Sequence, residues 1–403
     1  MRKPLMRIPY TDILPSPTVI PASARSLQGA LAALDNFFAA VPPNRLPRST
    51  VVLTGAGLSV ASGLADYRGP NGLYRVNKTH RPIYYNEFVR SHEVRKRYWA
   101  RSFLGWSSLV KAKPNAGHYA VRDLGELGLI SAVITQNVDS FHPTAHPQVP
   151  SLELHGYLRS TVCTTCRTEY PRQDFQHQLA RLNPRWAALL EEALRSGALD
   201  TENPDEEKFK GLKVNPDGDV ELPDAPYTTF RYPPCPRCLA DPPIQTEGFR
   251  HAVAADGDGA WALPSTAGIL KPNVVLFGEN IASHVRTAAE HAIDNAGRLL
   301  VLGTSLATYS AWRLAKRAKD RGMPIAIVNM GGVRGEDQFV AGLNPGQTGE
   351  LAVRVEESTD DLLPALVSRL RQRLASSSPA ANDASQSPSP RDDSSSVFKD
   401  MLS

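Results

Sequence analysis

The chain has 403 residues, with 45 Lys+Arg against 41 Asp+Glu, 41% hydrophobic residues and four cysteines. These numbers exclude a disulfide-stapled miniprotein and a wholly disordered chain. A net charge of +4 is too diffuse for a nucleic-acid binder, which concentrates Lys and Arg in a stripe, and no stretch approaches the roughly 18 consecutive apolar residues of a membrane-spanning helix. Neither direct nucleic-acid binding nor a membrane partner is therefore expected.

The first residues carry Arg2, Lys3 and Arg7 before the first acid, Asp12. That is the charge pattern of an organellar presequence, although Pro4 and Pro9 interrupt any amphipathic helix. A basic, untethered terminus is the competing reading, and residues 1–25 are expected to be flexible. Four short apolar runs then end abruptly in glycine or small polar residues. They are Val51-Val52-Leu53-Thr54-Gly55, Ala132-Val133-Ile134-Thr135-Gln136, Leu300-Val301-Leu302-Gly303 and Ile325-Ala326-Ile327-Val328-Asn329. Such runs predict strands buried on both faces. Helical patterns lie between them, for example residues 311–321, stopped by Gly322 and Pro324. The alternation predicts an α/β fold with a doubly wound parallel sheet, whose ligand sits beyond the carboxyl ends of the strands. Residues 153–270 break this rhythm, hold all four cysteines and read as an inserted module. Residues 375–403 contain ten serines and three prolines and are expected to be a disordered tail.

The cysteines form two pairs, Cys163-Thr164-Thr165-Cys166 and Cys235-Pro236-Arg237-Cys238. Each pair can grip one metal ion from a tight turn, and four thiolates suit tetrahedral zinc. A closed four-cysteine site has no coordination position for substrate, so one structural zinc is expected; redox cysteine pairs are the competing reading.

After the first strand, Gly55 and Gly57 permit a tight turn and close backbone approach to a diphosphate at a helix N-terminus. The dehydrogenase fingerprint would place a third glycine at Val60, so the longer string through Ser59, Ser62, Asp66, Tyr67 and Arg68 carries the specificity. Ser59 and Ser62 offer hydroxyls to phosphate or ribose oxygens, and Arg68 stands on a polar loop within reach of a phosphate or carboxamide. The second strand ends in Thr135-Gln136-Asn137-Val138-Asp139, followed by Glu153-Leu154-His155-Gly156. His155 stands out among the histidines because its neighbouring glycine lets backbone come close. His118, on an amphipathic run, reads as an ordinary packed histidine.

These motifs occur in a fixed order together with Lys271-Pro272-Asn273-Val274-Val275-Leu276-Phe277-Gly278-Glu279 and Gly303-Thr304-Ser305-Leu306. Over residues 49–355 the chain resembles the sirtuins, the NAD-dependent protein deacylases. Arg81-Pro82-Ile83, Phe88-Val89-Arg90-Ser91, Arg97-Tyr98-Trp99-Ala100-Arg101 and the Asp66-Tyr67-Arg68 variant are most similar to the sirtuin-4 branch, which is mitochondrial in animals; cytoplasm or nucleus is the alternative location. The resemblance implies a Rossmann-like parallel-sheet domain (residues 26–152 and 271–374) with an inserted small four-cysteine zinc-binding domain (153–270). It also implies a cleft in which NAD, consumed as co-substrate, meets an acylated lysine of a protein substrate, and the acyl group passes to ADP-ribose with release of nicotinamide.

By the same resemblance His155 is the general base, while Asn137 and Asp139 take part in catalysis and line the nicotinamide pocket. Gln136 contacts ribose. Gly55, Ala56, Gly57, Ser59, Asp66, Tyr67 and Arg68 form the loop over NAD, and Gly303, Thr304, Ser305, Asn329 and Gly331 hold phosphate, ribose and adenine. A strand of Val274, Val275, Leu276, Phe277 and Gly278 pairs with the substrate backbone. Ala65 stands where the family usually has proline, and Pro143 follows the Thr-Gln-Asn motif. No Tyr-x-x-Arg pair of the kind that reads succinyl-lysine in another branch lies between Tyr74 and Arg90, so longer neutral or branched acyl groups are expected. The stretch 87–106 carries a basic, aromatic face, read either as a nucleic-acid or membrane surface or as a helix with a solvated basic side that walls the acyl pocket. Two further functions stay open on sequence: mono-ADP-ribosyl transfer to protein, and a zinc module that binds NAD without turnover.

Overall fold

Val51, Val52 and Leu53 expose no surface at all, as the middle strand of a parallel sheet covered on both faces requires. The computed structural model describes residues 14–42, 49–76, 80–197, 213–214, 219–222, 225–245, 248–342 and 349–377. Its longer strands are β1 (Thr50–Thr54), β2 (Ile130–Thr135), β3 (Ser151–Glu153), β4 (Gly156–Cys163), β5 (Glu169–Pro171), β6 (Leu270–Val274), β7 (Arg298–Leu302), β8 (Ile325–Val328) and β9 (Ala352–Val355). Six of them form one sheet in the order β9-β8-β7-β1-β2-β3, every neighbouring pair parallel. The order reverses at β1, so the crevice where ligands bind lies beyond the ends of β1, β2 and β7.

The four predicted runs are β1, β2, β7 and β8. Two further strands were not visible as apolar runs. β3 is short and half-buried, and β9 carries Arg354 in its middle, 1% exposed. That guanidinium is satisfied by Glu336 Oε1 (2.9 Å) and by the carbonyls of Asn329 (2.8 Å) and Gly331 (2.5 Å).

The longer helices are α1 (Leu27–Ala39), α2 (His92–Lys111), α3 (Ala116–Glu126), α4 (Arg172–Leu182), α5 (Pro184–Arg195), α6 (Ser283–Asp294), α7 (Tyr309–Asp320) and α8 (Thr359–Ser377), and five of them, α1, α3, α6, α7 and α8, cover the two faces of this sheet. On one face Leu34, Val121 and Leu366 of α1, α3 and α8 pack with Val52, Val133 and Leu300. On the other, Ile293 of α6 and Leu314 of α7 pack with Val51, Leu53, Leu299 and Val301. The period-two alternation along β1 and β7 thus divides one strand between two cores.

The small module is built on the antiparallel sheet β6-β4-β5 with α4 and α5. Its core also takes in Phe88, Trp99, Phe103 and Leu104. A boundary at residue 153 therefore separates α2 in sequence from the module it packs with. The helical stretch expected over 87–106 is two helices, Tyr85–Arg90 and α2, parted at Ser91, whose side chain accepts a bond from Val94 N (3.2 Å) and caps α2. Its basic residues divide between interior and surface: Arg95 and Arg101 are buried, whereas Arg90 and Arg97 are exposed. Arg95 donates to Tyr232 and to the carbonyls of Phe88 and Val89, Arg97 pairs with Glu221, and Arg101 is buried. The solvated-helix reading falls between these facts.

Of the terminus expected to be flexible, residues 1–13 lie outside the described residues. Residues 22–25 form a 3-10 turn, and Ile20 exchanges two backbone hydrogen bonds with Arg354 (3.0 and 2.7 Å), which covers the free edge of β9. The tail expected over 375–403 lies outside the described residues beyond Ser377.

One backbone contact joins the ends of β1 and β7. Gly57 N donates to Gly303 O (2.8 Å), and a Cβ on Gly57 would sit 2.8 Å from that oxygen and 3.0 Å from Gly303 Cα. Gly303 has φ +56°, and a Cβ there would lie 2.3 Å from Leu58 N. Backbone cannot swing aside as a side chain can. Gly57→Ala and Gly303→Ala should each lower stability by about 1–3 kcal/mol, read as a lower urea midpoint with an unchanged slope. Gly257→Ala, where a Cβ meets nothing within 4 Å, should leave the midpoint in place.

Candidate functional site

A cleft of about 740 Å³ opens at the carboxyl ends of the central strands, within the range that suits a small organic ligand. Apart from Ser62, whose hydroxyl is buried away from the cleft, every residue expected to contact NAD, from Gly55 to Gly331, lines it, as do His155 and residues 274–277. Gly278 is not part of the lining, and the four cysteines lie elsewhere. Chain segments separated by as much as the length of the sheet domain are thus brought to one wall.

Gln136 is the knot of the site. Its Nε2 donates to Thr54 O (3.1 Å) and Thr304 Oγ1 (2.9 Å), and its Oε1 accepts from Thr308 Oγ1 (2.9 Å). The ends of β1, β2 and β7 are therefore held by one side chain. Asn137 uses its amide nitrogen on Gly55 O (3.1 Å) and Ser59 Oγ (3.0 Å), which leaves the amide oxygen as an acceptor. Ser59 in turn donates to Asp139 Oδ2 (2.8 Å). Its hydroxyl serves the pocket's internal framework, whereas the sequence reading offered it to phosphate or ribose. Burial pushes the Asp139 carboxyl up, against the hydrogen bonds from Phe141 N and Ser59 that hold it down.

His155 follows β3 and precedes Gly156, whose φ of +77° and lack of a side chain admit Asn273 O to within 2.1 Å of where a Cβ would stand. Its Nδ1 lies 3.1 Å from Gln136 O. A carbonyl can only accept, so Nδ1 carries the hydrogen and Nε2 is left with its lone pair, which accepts from Ser310 Oγ at 2.8 Å. Burial lowers the pKa of the imidazole from 6.5 to about 4, opposed by the bond to Gln136. The ring is neutral at working pH, with its basic nitrogen in the cleft.

Around Asp66, the loop is stapled by Gly69 N, which donates to both carboxylate oxygens (2.9 and 3.1 Å), and by Leu73 N and Tyr74 N, which donate to Asp66 O and Tyr67 O. Arg68 lies 5.0 Å over the Tyr74 ring. Burial raises the Asp66 pKa and lowers that of Arg68. Two charged groups are thus kept partly desolvated where a charged ligand would recover the cost.

The strand expected over 274–278 is a strand only up to Val274. Beyond it Val275 N bonds His155 O (2.8 Å), Leu276 N bonds Glu279 Oε2 (3.0 Å), and Phe277 O accepts from Tyr85 N (2.9 Å). Phe277 forms an isolated parallel bridge with Tyr84, and the turn comes only at Gly278, φ +83°, so part of the backbone over 275–277 is already engaged inside the fold. Sequence reasoning also missed Ser310, Thr308 and Thr54; from the helix expected to wall the acyl pocket, the structure brings in Tyr98 and Arg101. The last two line the cleft with the Tyr-x-x-Arg spacing that is absent from 74–90, a few residues beyond that window.

Beneath the site runs a row of buried imidazoles. Thr54 Oγ1 lies 2.9 Å from His142 Nε2, and His142 Nδ1 lies 2.8 Å from His146 Nε2. His118 packs against His142 with ring centroids 5.0 Å apart. Pro143 sits in the first turn of the short helix Phe141–Ala145, where a missing N–H does little harm. Burial holds His142 well below 6.5 and His118 down at about 3, with the neighbouring imidazoles adding to both.

Folded His118 and His142 thus stay neutral while an unfolded histidine takes up a proton below about pH 6.5. Stability falls as pH falls through that value, by about 1.4 kcal/mol per pH unit for each fully buried imidazole. The urea midpoint should therefore drop between pH 7.5 and 5.5, and His118→Gln should make the drop shallower.

The four sulfurs lie within 4.8 Å of one another, with Cys163 to Cys238 and Cys166 to Cys235 each 3.6 Å. A tetrahedron with Zn–S bonds near 2.3 Å has edges of about 3.8 Å, so the cluster fits one structural zinc. Cys163 and Cys235 are fully buried in the module core. Metal analysis should find one zinc per chain. Cys238→Ser should release it and lower the melting temperature, with the loss of cooperative unfolding of α4 and α5 seen by hydrogen exchange.

The model of the Sir2 family matches residues 55–310. The chain is 41% identical over 309 residues to the NAD-dependent protein deacylase SIR4 of Batrachochytrium dendrobatidis, covering 75% of this chain and 87% of that protein. It is 32% identical over 324 residues to the NAD-dependent protein lipoamidase sirtuin-4, mitochondrial, of Bos taurus, covering 80% of this chain and 82% of that one. A solved chain described as "Structural Basis for the Mechanism and Regulation of Sir2 Enzymes" shares the fold at a TM-score of 0.51 and 22% identity, covering 85% of this chain and 98% of that one. With the family model matching well over half of its length and relatives of this identity spanning most of it, the chain belongs to the Sir2 family.

Proposed function

We propose that this protein is an NAD-dependent lysine deacylase that transfers the acyl group of an acylated lysine to ADP-ribose and releases nicotinamide. The observation that carries the reading is the placement of His155, with Nδ1 3.1 Å from Gln136 O and Nε2 2.8 Å from the Ser310 hydroxyl, inside a cleft lined by Gln136, Asn137 and the glycine turns. Gly55, Gly57 and Gly303 line the same cleft, where glycine turns at strand ends can offer backbone to the phosphates of a dinucleotide.

NAD supplies an activated ribose carbon and the ADP-ribose that accepts the acyl group. The chain's residues do the rest. Gly55, Ala56, Gly57 and Arg68 hold the diphosphate side, Gly303, Thr304, Ser305, Asn329 and Gly331 the adenosine side, and Asn137 and Asp139 the carboxamide. Asn137 offers its amide oxygen, and Asp139 a carboxyl whose raised pKa favours a hydrogen-bonded partner. Gln136 orients a ribose hydroxyl. His155 Nε2, which holds the Ser310 hydroxyl at 2.8 Å, takes the proton of a substrate hydroxyl in that place, and the Nδ1–H bond to Gln136 O steadies the resulting imidazolium. The acyl-lysine peptide lies against 274–277, and the acyl class is a longer neutral or branched one. A mitochondrial location belongs to the same reading; the name of the bovine relative and the basic residues Arg2, Lys3 and Arg7 support it.

The test is nicotinamide release by wild type and His155→Ala with NAD and peptides bearing acetyl, hexanoyl, lipoyl or glutaryl lysine, with products weighed by mass spectrometry. Peptide-dependent release with a matching O-acyl-ADP-ribose is expected. The variant should lose about 10²–10⁴ in rate while NAD affinity changes by less than a few-fold. Release with mass added to protein and no O-acyl product would replace deacylation by ADP-ribosyl transfer, and unaltered turnover in the variant would remove His155 from the chemistry.

A further inference from the structure

Arg101 and Asp219 come from different parts of the fold and meet in the cleft wall. Arg101 stands on α2 and is 4% exposed. Asp219 precedes the two-residue strand Val220–Glu221, whose Val220 is buried in the core of the small module. The Arg101 Nη2 to Asp219 Oδ2 distance is 2.8 Å. The Nε of Arg101 is buried and has no hydrogen-bond partner among the described residues. His80 is close enough for both charges to act on it, and its ring lies 6.2 Å from that of Tyr74, which carries Arg68 on its face. The ion pair thus borders the same space as the Asp66–Arg68 loop.

A guanidinium removed from water is best stabilised by a carboxylate, most strongly one held through two parallel N–H bonds. Asp219 meets the charge requirement through Nη2. The pair is neutral as a whole. An acyl group ending in a carboxylate would find the positive charge already taken, and it would face a like charge within a few ångströms in a poorly solvated wall. An uncharged acyl group meets no such opposition.

We propose that Asp219 is a specificity gate for the acyl group: it occupies the guanidinium of Arg101 that an acidic acyl chain would otherwise engage, and so keeps the cleft for neutral ones. The proposal rests on the deacylase reading for the identity of the ligand. It makes Asp219 a residue whose removal widens the substrate range and leaves the chemical step alone.

The full-length protein and its Asp219→Asn variant are compared on one peptide carrying hexanoyl-lysine or glutaryl-lysine. The variant should raise kcat/KM for the glutaryl peptide tenfold or more, chiefly through KM, with the hexanoyl peptide within threefold of wild type. Adding Arg101→Gln should abolish the gain. A glutaryl value unchanged in Asp219→Asn, a gain that survives Arg101→Gln, or a wild type that already prefers the glutaryl peptide would each overturn the gate. If the asparagine variant melts well below wild type, Asp219→Ser serves in its place and must show the same gain. Should no peptide support nicotinamide release by wild type, the deacylase reading fails by itself. Calorimetric titration of the glutaryl peptide into the NAD-bound protein then decides the gate, a tenfold tighter binding by the variant supporting it and equal binding overturning it.

Discussion

A single backbone hydrogen bond, Gly57 N to Gly303 O, sets the distance between the two turns that everything in the cleft is measured from. The turns follow β1 and β7, which pair through all five of their residues, so the sheet delivers them side by side and only glycine lets them touch. Gln136 then ties the end of β2 to both through Thr54 and Thr304, and its carbonyl fixes the tautomer of His155. The path from sheet register to a basic nitrogen contains no flexible step. A change of a few tenths of an ångström at the glycine contact would be passed to the imidazole through these short bonds.

What could be read beforehand follows from what depends on near neighbours in sequence. Apolar runs such as Val51-Val52-Leu53 announce buried strands, and polar residues directly after them, Gln136 and Asn137 or Gly303 and Thr304, fall at the strand ends by construction. The cysteine pairs announce a metal because each pair is a local grip. The unread parts depend on distant packing. Ser310 matters only because α7 begins opposite His155. Arg354 breaks an apolar run and hides β9, yet it is buried because backbone carbonyls at Asn329 and Gly331 solvate it. The aromatic face of α2 shows in its spacing, but nothing in that spacing says that Trp99 and Phe103 will join the zinc module's core. The stretch after Val274 reads as a continuing strand for a related reason: only distant packing, the bridge of Phe277 to Tyr84 and the turn at Gly278, takes it out of the ladder.

Buried polar groups recur at the joints between layers. Arg354 binds β9 to the Asn329 turn. Arg172, fully buried, bonds Gln176 and Ser102 and lies 4.7 Å over the ring of Trp106, and burial without an acidic partner lowers its pKa to about 9. The imidazole row fastens Thr54 to the helix Phe141–Ala145. Each group is costly to desolvate and tolerable only in one arrangement of its acceptors. Such groups add little to net stability, but they select one packing of the layers over its near alternatives, which a cleft made from many segments requires.

The central position of β1 also shapes the order in which the protein can be completed on the ribosome. One neighbour, β2, follows it directly, whereas the other, β7, emerges only after the whole zinc module has been made. At about 5–20 residues per second that interval is on the order of ten seconds. During it, one edge of β1, a run of Thr, Val and Leu with unpaired amides, stands open to any extended chain nearby. The nascent protein is thus most in need of protection while its metal module folds, so a chaperone acting in that window would meet the strand on which the later cleft is built.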